Sequence, residues 1–312
     1  MSSTKPDDAT TASPAPLVSV RPVTLTAPDR GLDLQVRVSA PTTGAGLPVV
    51  VFSHGFGLSM DSYAPLVDVW AARGFVVVQP THLDSRTVGL APDDPRTPTI
   101  WRSRIADVVA VLDQLEAVEA AVAGLGGRVD RDRVAVAGHS WGAQTVSTLA
   151  GARVVGADGV PGPSMTDPRV TAAVLLALTG IGGADLTPFA AQHFAFMSPD
   201  FAELQTPSLI VAGDQDSSPL SVRGPDWFTD GYHLSPGATD LLALFGAEHS
   251  LGGIHGYNDA ATTDESPDRV ALIGHTTLAY LQTALGVDAG AWPAARDALK
   301  AAGDPLGRID SR

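Results

Sequence analysis

Residues 138–142 read Gly-His-Ser-Trp-Gly, and the serine at their centre, Ser140, is where this chain could do chemistry. A serine hydroxyl is barely nucleophilic at neutral pH and attacks a carbonyl carbon only when a nearby base takes its proton. Histidine suits that task, with a carboxylate behind it to fix the imidazole tautomer and stabilise the imidazolium. In a chain with 32 glycines among 312 residues, about 0.2 such pentapeptides arise by accident, so the motif needs partners elsewhere. Eight histidines are available: His54, His82, His139, His193, His233, His249, His255 and His275. Only His249 follows a late apolar run inside a Gly-x-x-His loop, Gly246-Ala247-Glu248-His249, with His255 the next candidate. For the acid, Gly213-Asp214-Gln215-Asp216 offers two carboxylates after another apolar run, and Asp185 is a third choice.

The elements that must position these residues are legible from periodicity. Val134–Ala137 is a short β-branched run, and Ala143–Ala150 is helix-forming, so Ser140 is expected at a sharp strand-to-helix turn. Gly138 and Gly142 remove Cβ atoms that would collide there. Val18–Thr26 and Leu32–Val38 read as an antiparallel pair with one wet face, because apolar and polar residues alternate. Leu47–Phe52, Phe75–Val78, Val170–Leu178, Ser208–Ala212 and Leu241–Phe245 read as further strands, the last taken as the final one. The unbroken apolar runs among them imply a parallel sheet covered on both faces. Helices are expected from Tyr63 towards Gly74, over Ile100–Ala123, and over Pro267–Ala284, with Ala291–Ala302 a short helix or nothing. Stretches 81–99, 156–168 and 179–206 read as loops, and the last could form a small flap but not a lid domain. In a parallel sheet all strand C-termini meet at one edge, which would gather the serine, the acids and the late histidines.

Composition removes other chemistries. There is no cysteine, which excludes disulfides, thiolate zinc sites and cysteine nucleophiles. A net charge of −14 argues against nucleic acid or an anionic membrane as partner. No eighteen apolar residues run uninterrupted and no signal pattern opens the chain, so a soluble, cytoplasmic protein is expected. Residues 1–16 are polar and Pro/Ser/Thr-rich and read as a disordered tail, with 17–312 a single domain. Nothing in the sequence sets an oligomeric state.

The chain resembles α/β-hydrolase-fold serine esterases, closest to the group of platelet-activating-factor acetylhydrolases, chlorophyllase-like proteins and bacterial polyester hydrolases. The residues that carry this are Phe52-Ser53-His54-Gly55-Phe56-Gly57 with Tyr63, then Arg73-Gly74-Phe75-Val76-Val77, the elbow Gly138–Gly142, and Gly246-Ala247-Glu248-His249. The resemblance implies a mostly parallel central sheet of about eight strands with helices on both faces and no large lid domain. It implies Ser140 as nucleophile, His249 as base, and backbone N–H groups of Phe56 and Trp141 as the oxyanion hole. Its Gly-x-x-Asp spacing selects Asp216 over Asp214. There is a departure: acetylhydrolases and chlorophyllases carry the acid after the preceding strand, where this chain has Ala177-Leu178-Thr179, so the polyester-hydrolase arrangement fits better.

The expectation is therefore a cofactor-free, metal-free hydrolase of small carboxylic esters, short-chain or aryl esters first. Phe56, Trp141, Thr179 and Trp227 are expected to line the substrate site, with Phe228 and Tyr232 nearby. Larger esters, acyl transfer or perhydrolysis on the same triad, and a non-catalytic binding protein on this scaffold are the competing readings. A dehalogenase is disfavoured because position 140 is Ser, not Asp.

Overall fold

A computed structural model describes residues 14–91, 93–156, 158–256, 262–303 and 305–312. The expected disordered tail lies outside them up to residue 13. The expectation fails for residues 14–16, because the Ala15 N–H donates to the Ala72 carbonyl at 2.9 Å and leads directly into the first strand.

That strand, β1 (Leu17–Leu25), pairs antiparallel with β2 (Leu34–Pro41). There follow β3 (Leu47–Ser53), α1 (Ala64–Ala72), β4 (Val76–Pro80), α2 (Ile100–Asp113), α3 (Leu115–Ala120) and β5 (Val129–His139). Next come α4 (Trp141–Leu149), β6 (Arg153–Val154), β7 (Val170–Leu176), α5 (Pro188–His193), β8 (Pro199–Asp200) and β9 (Ser208–Gly213). The chain closes with α6 (Asp230–Leu234), β10 (Asp240–Leu244), α7 (Pro267–Ala284), α8 (Ala291–Ala301) and β11 (Gly307–Ser311).

Among the described residues the main sheet has nine strands in the order β1-β2-β4-β3-β5-β7-β9-β10-β11. The six strands from β4 to β10 are parallel, and β1, β2 and β11 are antiparallel additions at the edges. Burial follows the hydrophobic pattern: every residue of β3, β4 and β9 is buried, whereas β1 alternates and keeps one face wet. The connection β3-α1-β4 steps one way along the sheet, and the later parallel connections step the other way. Right-handed crossovers then put α1 and α4 on opposite faces. The reversal falls between β3 and β5, and the crevice beyond the strand C-termini at that point is where open α/β sheets bind ligands.

Two expectations change, and one left open is settled. Residues 100–123 do not form one helix, because Gln114 leaves helical geometry and its side-chain amide brackets the Thr26 backbone, accepting its N–H at 3.0 Å and donating to its carbonyl at 2.9 Å. Leu241–Phe245 is not the final strand, since β11 pairs beyond it over Gly307–Ser311. Residues 291–301 are helical. The stretch 179–206 carries a six-residue helix and one strand of a two-stranded ribbon with β6, well short of a lid domain.

Candidate active site

The β5 strand carries the chain to the sheet edge, where Ser140 takes φ 55° and ψ −123°, a conformation L-residues rarely adopt. Two glycines make the turn sterically possible. A Cβ on Gly138 would lie 2.4 Å from the Gly142 carbonyl, and one on Gly142 would lie 2.0 Å from the Ser53 carbonyl at the end of β3. The Ser140 N–H is fixed to Leu176 of β7 at 2.9 Å. Trp141 opens α4, so its backbone N–H has no acceptor within the helix and points out of the helix's positive end.

From β10, the loop beginning at Gly246 brings His249 over this serine, with Nε2 2.8 Å from Ser140 Oγ. On the far side of the ring, Nδ1 is 3.0 and 3.2 Å from the two carboxylate oxygens of Asp216. Asp216 is wholly buried; burial pushes its carboxyl above the usual range, and the hydrogen bond and charge of His249 pull it back. Asp214 is turned away and accepts the Gly246 N–H at 2.7 Å, capping the same loop. The loops that carry Asp216 and His249 pack backbone to backbone: a Cβ on Gly213 would meet the Ala247 carbonyl at 2.2 Å. Asp264 and Arg269, unforeseen in the sequence, clamp the His249 loop from just before α7 and from its first turn. Asp264 accepts the N–H groups of Glu248 and Gly252, each at 2.9 Å, and Arg269 donates to the Phe245 carbonyl at 3.0 Å.

Opposite stands the His54–Gly57 turn after β3, held by a buried ionic network. Arg104 of α2, fully buried, donates to the His54 carbonyl, to Asp84 at 2.6 Å and to Thr145 at 3.1 Å. Asp84 also accepts the Gly57 N–H at 3.1 Å, so one ion pair grips the turn at both ends. The Arg104 guanidinium lies 4.7 Å from the Trp141 ring centroid. Behind it, Asp107 pairs with Arg30 at 2.9 Å and with His82 at 2.9 Å, and burial pushes its carboxyl up to about 7 against the pull of both arginines. His54 donates from Nδ1 to the Gly55 carbonyl at 2.7 Å and accepts the His82 N–H at 3.0 Å. It is therefore neutral, and burial, aided by Arg104, lowers its pKa to about 4. None of this was legible in the sequence, because Arg104 joins residues from 20 to 50 positions away.

His255 does not reach Ser140. Its Nε2 lies 3.2 Å from His139 Nδ1, behind the site. His139 and Tyr63 fill the space between the two loops: Tyr63 Oη accepts the Gly55 N–H at 3.0 Å and lies 3.0 Å from His139 Nδ1, and His139 Nε2 is 2.8 Å from the His249 carbonyl. Two cavities open on Ser140. One, of about 290 Å3, is largely apolar, with Trp141, Phe194, Met197, Leu220 and Phe228 in its wall and Thr179 beside them. The other, of about 370 Å3, has a mixed lining, with Arg86, Ser217 and Glu248 beside Phe56 and Leu58. Phe56 stands between them, 60% exposed. The expectation for Trp227 is corrected. Its ring is fully buried and its indole N–H donates to the Ile181 carbonyl at 2.8 Å, so it braces the 179–206 stretch while its neighbour Phe228 faces the cavity.

Fold and sheet order define the class: the architecture is that of the α/β-hydrolase fold. Residues 18–167 match the family model described as Chlorophyllase, so the chain is chlorophyllase-like over that stretch, and the match supports a hydrolase acting on esters. The matched stretch includes the His54–Gly57 turn and the elbow and ends before Asp216 and His249. No curated protein matches the chain. No helix among the described residues is long and apolar enough to cross a membrane.

Proposed function

We propose that the chain is a serine hydrolase that cleaves carboxylic esters through an acyl-enzyme on Ser140, His249 and Asp216. One observation carries the reading: a continuous hydrogen-bonded line from Ser140 Oγ through His249 to buried Asp216, 2.8 and then 3.0 Å. His249 Nε2 takes the Ser140 proton as Oγ attacks the ester carbonyl, and Asp216 stabilises the imidazolium. The developing oxyanion is received by the backbone N–H groups of Phe56 and Trp141, each such donor worth about 10²–10³ in rate. Imidazolium protonates the leaving alcohol; water, deprotonated by His249, then attacks the acyl-enzyme and releases the acid.

Size narrows the substrate. An apolar cavity of about 290 Å3 lies at the small end of ligand pockets, which suits a short acyl chain or a single aryl ring. Across p-nitrophenyl esters of rising chain length, kcat/KM is expected to peak at two to four carbons, in the range about C2–C4, and fall beyond it. Ser140→Ala and His249→Ala should each lower kcat by about 10⁴–10⁶. Retained turnover in either variant would contradict the assignment.

A further inference from the structure

Three loops must be in register for the chemistry proposed above: the turn with Phe56, the elbow with Ser140, and the base loop with His249. Gly55 and His139 each lie one residue before the first two, and the third is reached at His249 itself. A single line of hydrogen bonds touches all of them.

Its donors and acceptors can be assigned from chemistry alone. The His249 carbonyl can only accept, so His139 Nε2, 2.8 Å away, carries the proton. Burial holds His139 far below its ordinary pKa, so the ring is neutral and Nδ1 is a bare acceptor. The Gly55 N–H donates to Tyr63 Oη at 3.0 Å, and the Tyr63 hydroxyl, 3.0 Å from that Nδ1, is the nearer of its two possible donors, ahead of His255 Nε2 at 3.2 Å. The bonds run head to tail, Gly55 to Tyr63 to His139 to His249, an order in which each bond polarises the next. His255 Nε2, 3.2 Å from the same Nδ1, completes the surroundings, and its carbonyl accepts the Tyr63 N–H at 2.9 Å.

We infer that Tyr63 and His139 form a strut whose work is to hold the Phe56 N–H and His249 at fixed positions on either side of the Ser140 hydroxyl. This rests on the esterase reading above. Tyr63 is fully buried and His139 2% exposed, so water cannot replace either partner. Ring packing alone would be served by Phe at position 63, and a buried hydroxyl is costly unless bonded. Yet the chain holds Tyr63 at φ 69°, unfavourable for a side chain of that size, with its oxygen bonded on both sides. Gly55 leaves the space: a Cβ there would sit 3.0 Å from Tyr63 Oη and 3.3 Å from His139 Nδ1. Both are positioning residues, acting through the donors and base they hold.

The test counts active sites by end-point titration with a fluorophosphonate, then measures kcat and KM for p-nitrophenyl acetate per titrated site. Tyr63→Phe and His139→Leu should each lower kcat per site by about 10- to 100-fold with KM within about two-fold, as expected when reacting groups are misplaced. His139→Gln, whose amide can still donate to the His249 carbonyl, should recover most of the loss. The double variant Tyr63→Phe/His139→Leu should be little worse than His139→Leu alone, because one strut is cut once or twice. Unchanged kcat per site in Tyr63→Phe, with only a lower titratable fraction or Tm, would overturn the strut. So would losses that multiply in the double variant. If His139→Leu yields no folded protein, Tyr63→Phe and His139→Gln decide alone. Turnover surviving Ser140→Ala would overturn the reading of the site and the strut with it. An inactive Ser140→Ala beside an unchanged Tyr63→Phe would overturn the strut alone.

Discussion

At the scale of single residues, the decisive contrast is between two aspartates two positions apart. Asp216 has both oxygens within 3.2 Å of His249 Nδ1, whereas Asp214 holds a backbone N–H of the loop. Asp216→Asn keeps the shape but loses the charge that stabilises the imidazolium, and should lower kcat by about 10³–10⁴. Asp214→Asn can still accept the Gly246 N–H and should cost less than about ten-fold. A larger loss in the second variant, measured with the same ester, would reverse the roles. Ser140 and His249 stood out in the sequence because their chemistry asks for those residue types at the ends of apolar runs, whereas the choice of Asp216 over Asp214 came only from the family resemblance. Trp227 was expected in the substrate site and lies under the 179–206 stretch instead, since an aromatic side chain is equally at home under a loop or in a cavity. Arg104, Asp84 and Asp264 left no sequence signal, because a buried ion pair is specified by burial and long-range proximity, not by spacing.

At the scale of elements, steric fit at the elbow separates glycines that look alike. Gly142→Ala drives a Cβ to 2.0 Å from the Ser53 carbonyl, against backbone that cannot yield, and should destabilise by about 3 kcal/mol or more. Gly274, inside α7, is buried as well, but its Cβ would meet Val69 at 3.7 Å, an ordinary contact. Gly274→Ala should therefore stabilise by about 0.5–1 kcal/mol through helix propensity. Urea unfolding of the two variants checks both signs; equal effects would contradict the geometry. Central strands were legible as continuous apolar runs. The break in the 100–123 helix was not, because a tertiary bracket between Gln114 and Thr26 overrides a favourable periodicity. Nor was β11, a short polar edge strand (Gly307–Ser311) with no alternation to betray it.

At the scale of the molecule, the sheet reverses its winding between β3 and β5, and that reversal brings the His54 turn, the elbow and the two C-terminal loops together. The region around the site is dense with buried neutral histidines: His54, His82 and His139 all have lowered pKa values, chiefly from burial. The unfolded chain takes up a proton on His54 below about pH 6.5, while the folded chain does so only near 4. Its contribution is thus present at neutral pH and is lost as pH falls from about 6.5 to about 4. Asp107, raised to about 7, acts in the opposite sense. His54→Asn should flatten the acid limb by about 1.4 kcal/mol per pH unit within that window, read from unfolding free energies at three pH values; parallel limbs would contradict it. The central claim is an acyl-enzyme on Ser140, and pre-steady-state hydrolysis of p-nitrophenyl acetate with acid quench and peptide mass analysis tests it most directly. A burst of p-nitrophenolate equal to the enzyme concentration, with an acetyl group on the peptide holding Ser140, is the expected result. Steady turnover from time zero, or an acetyl group on any other residue, would contradict the account.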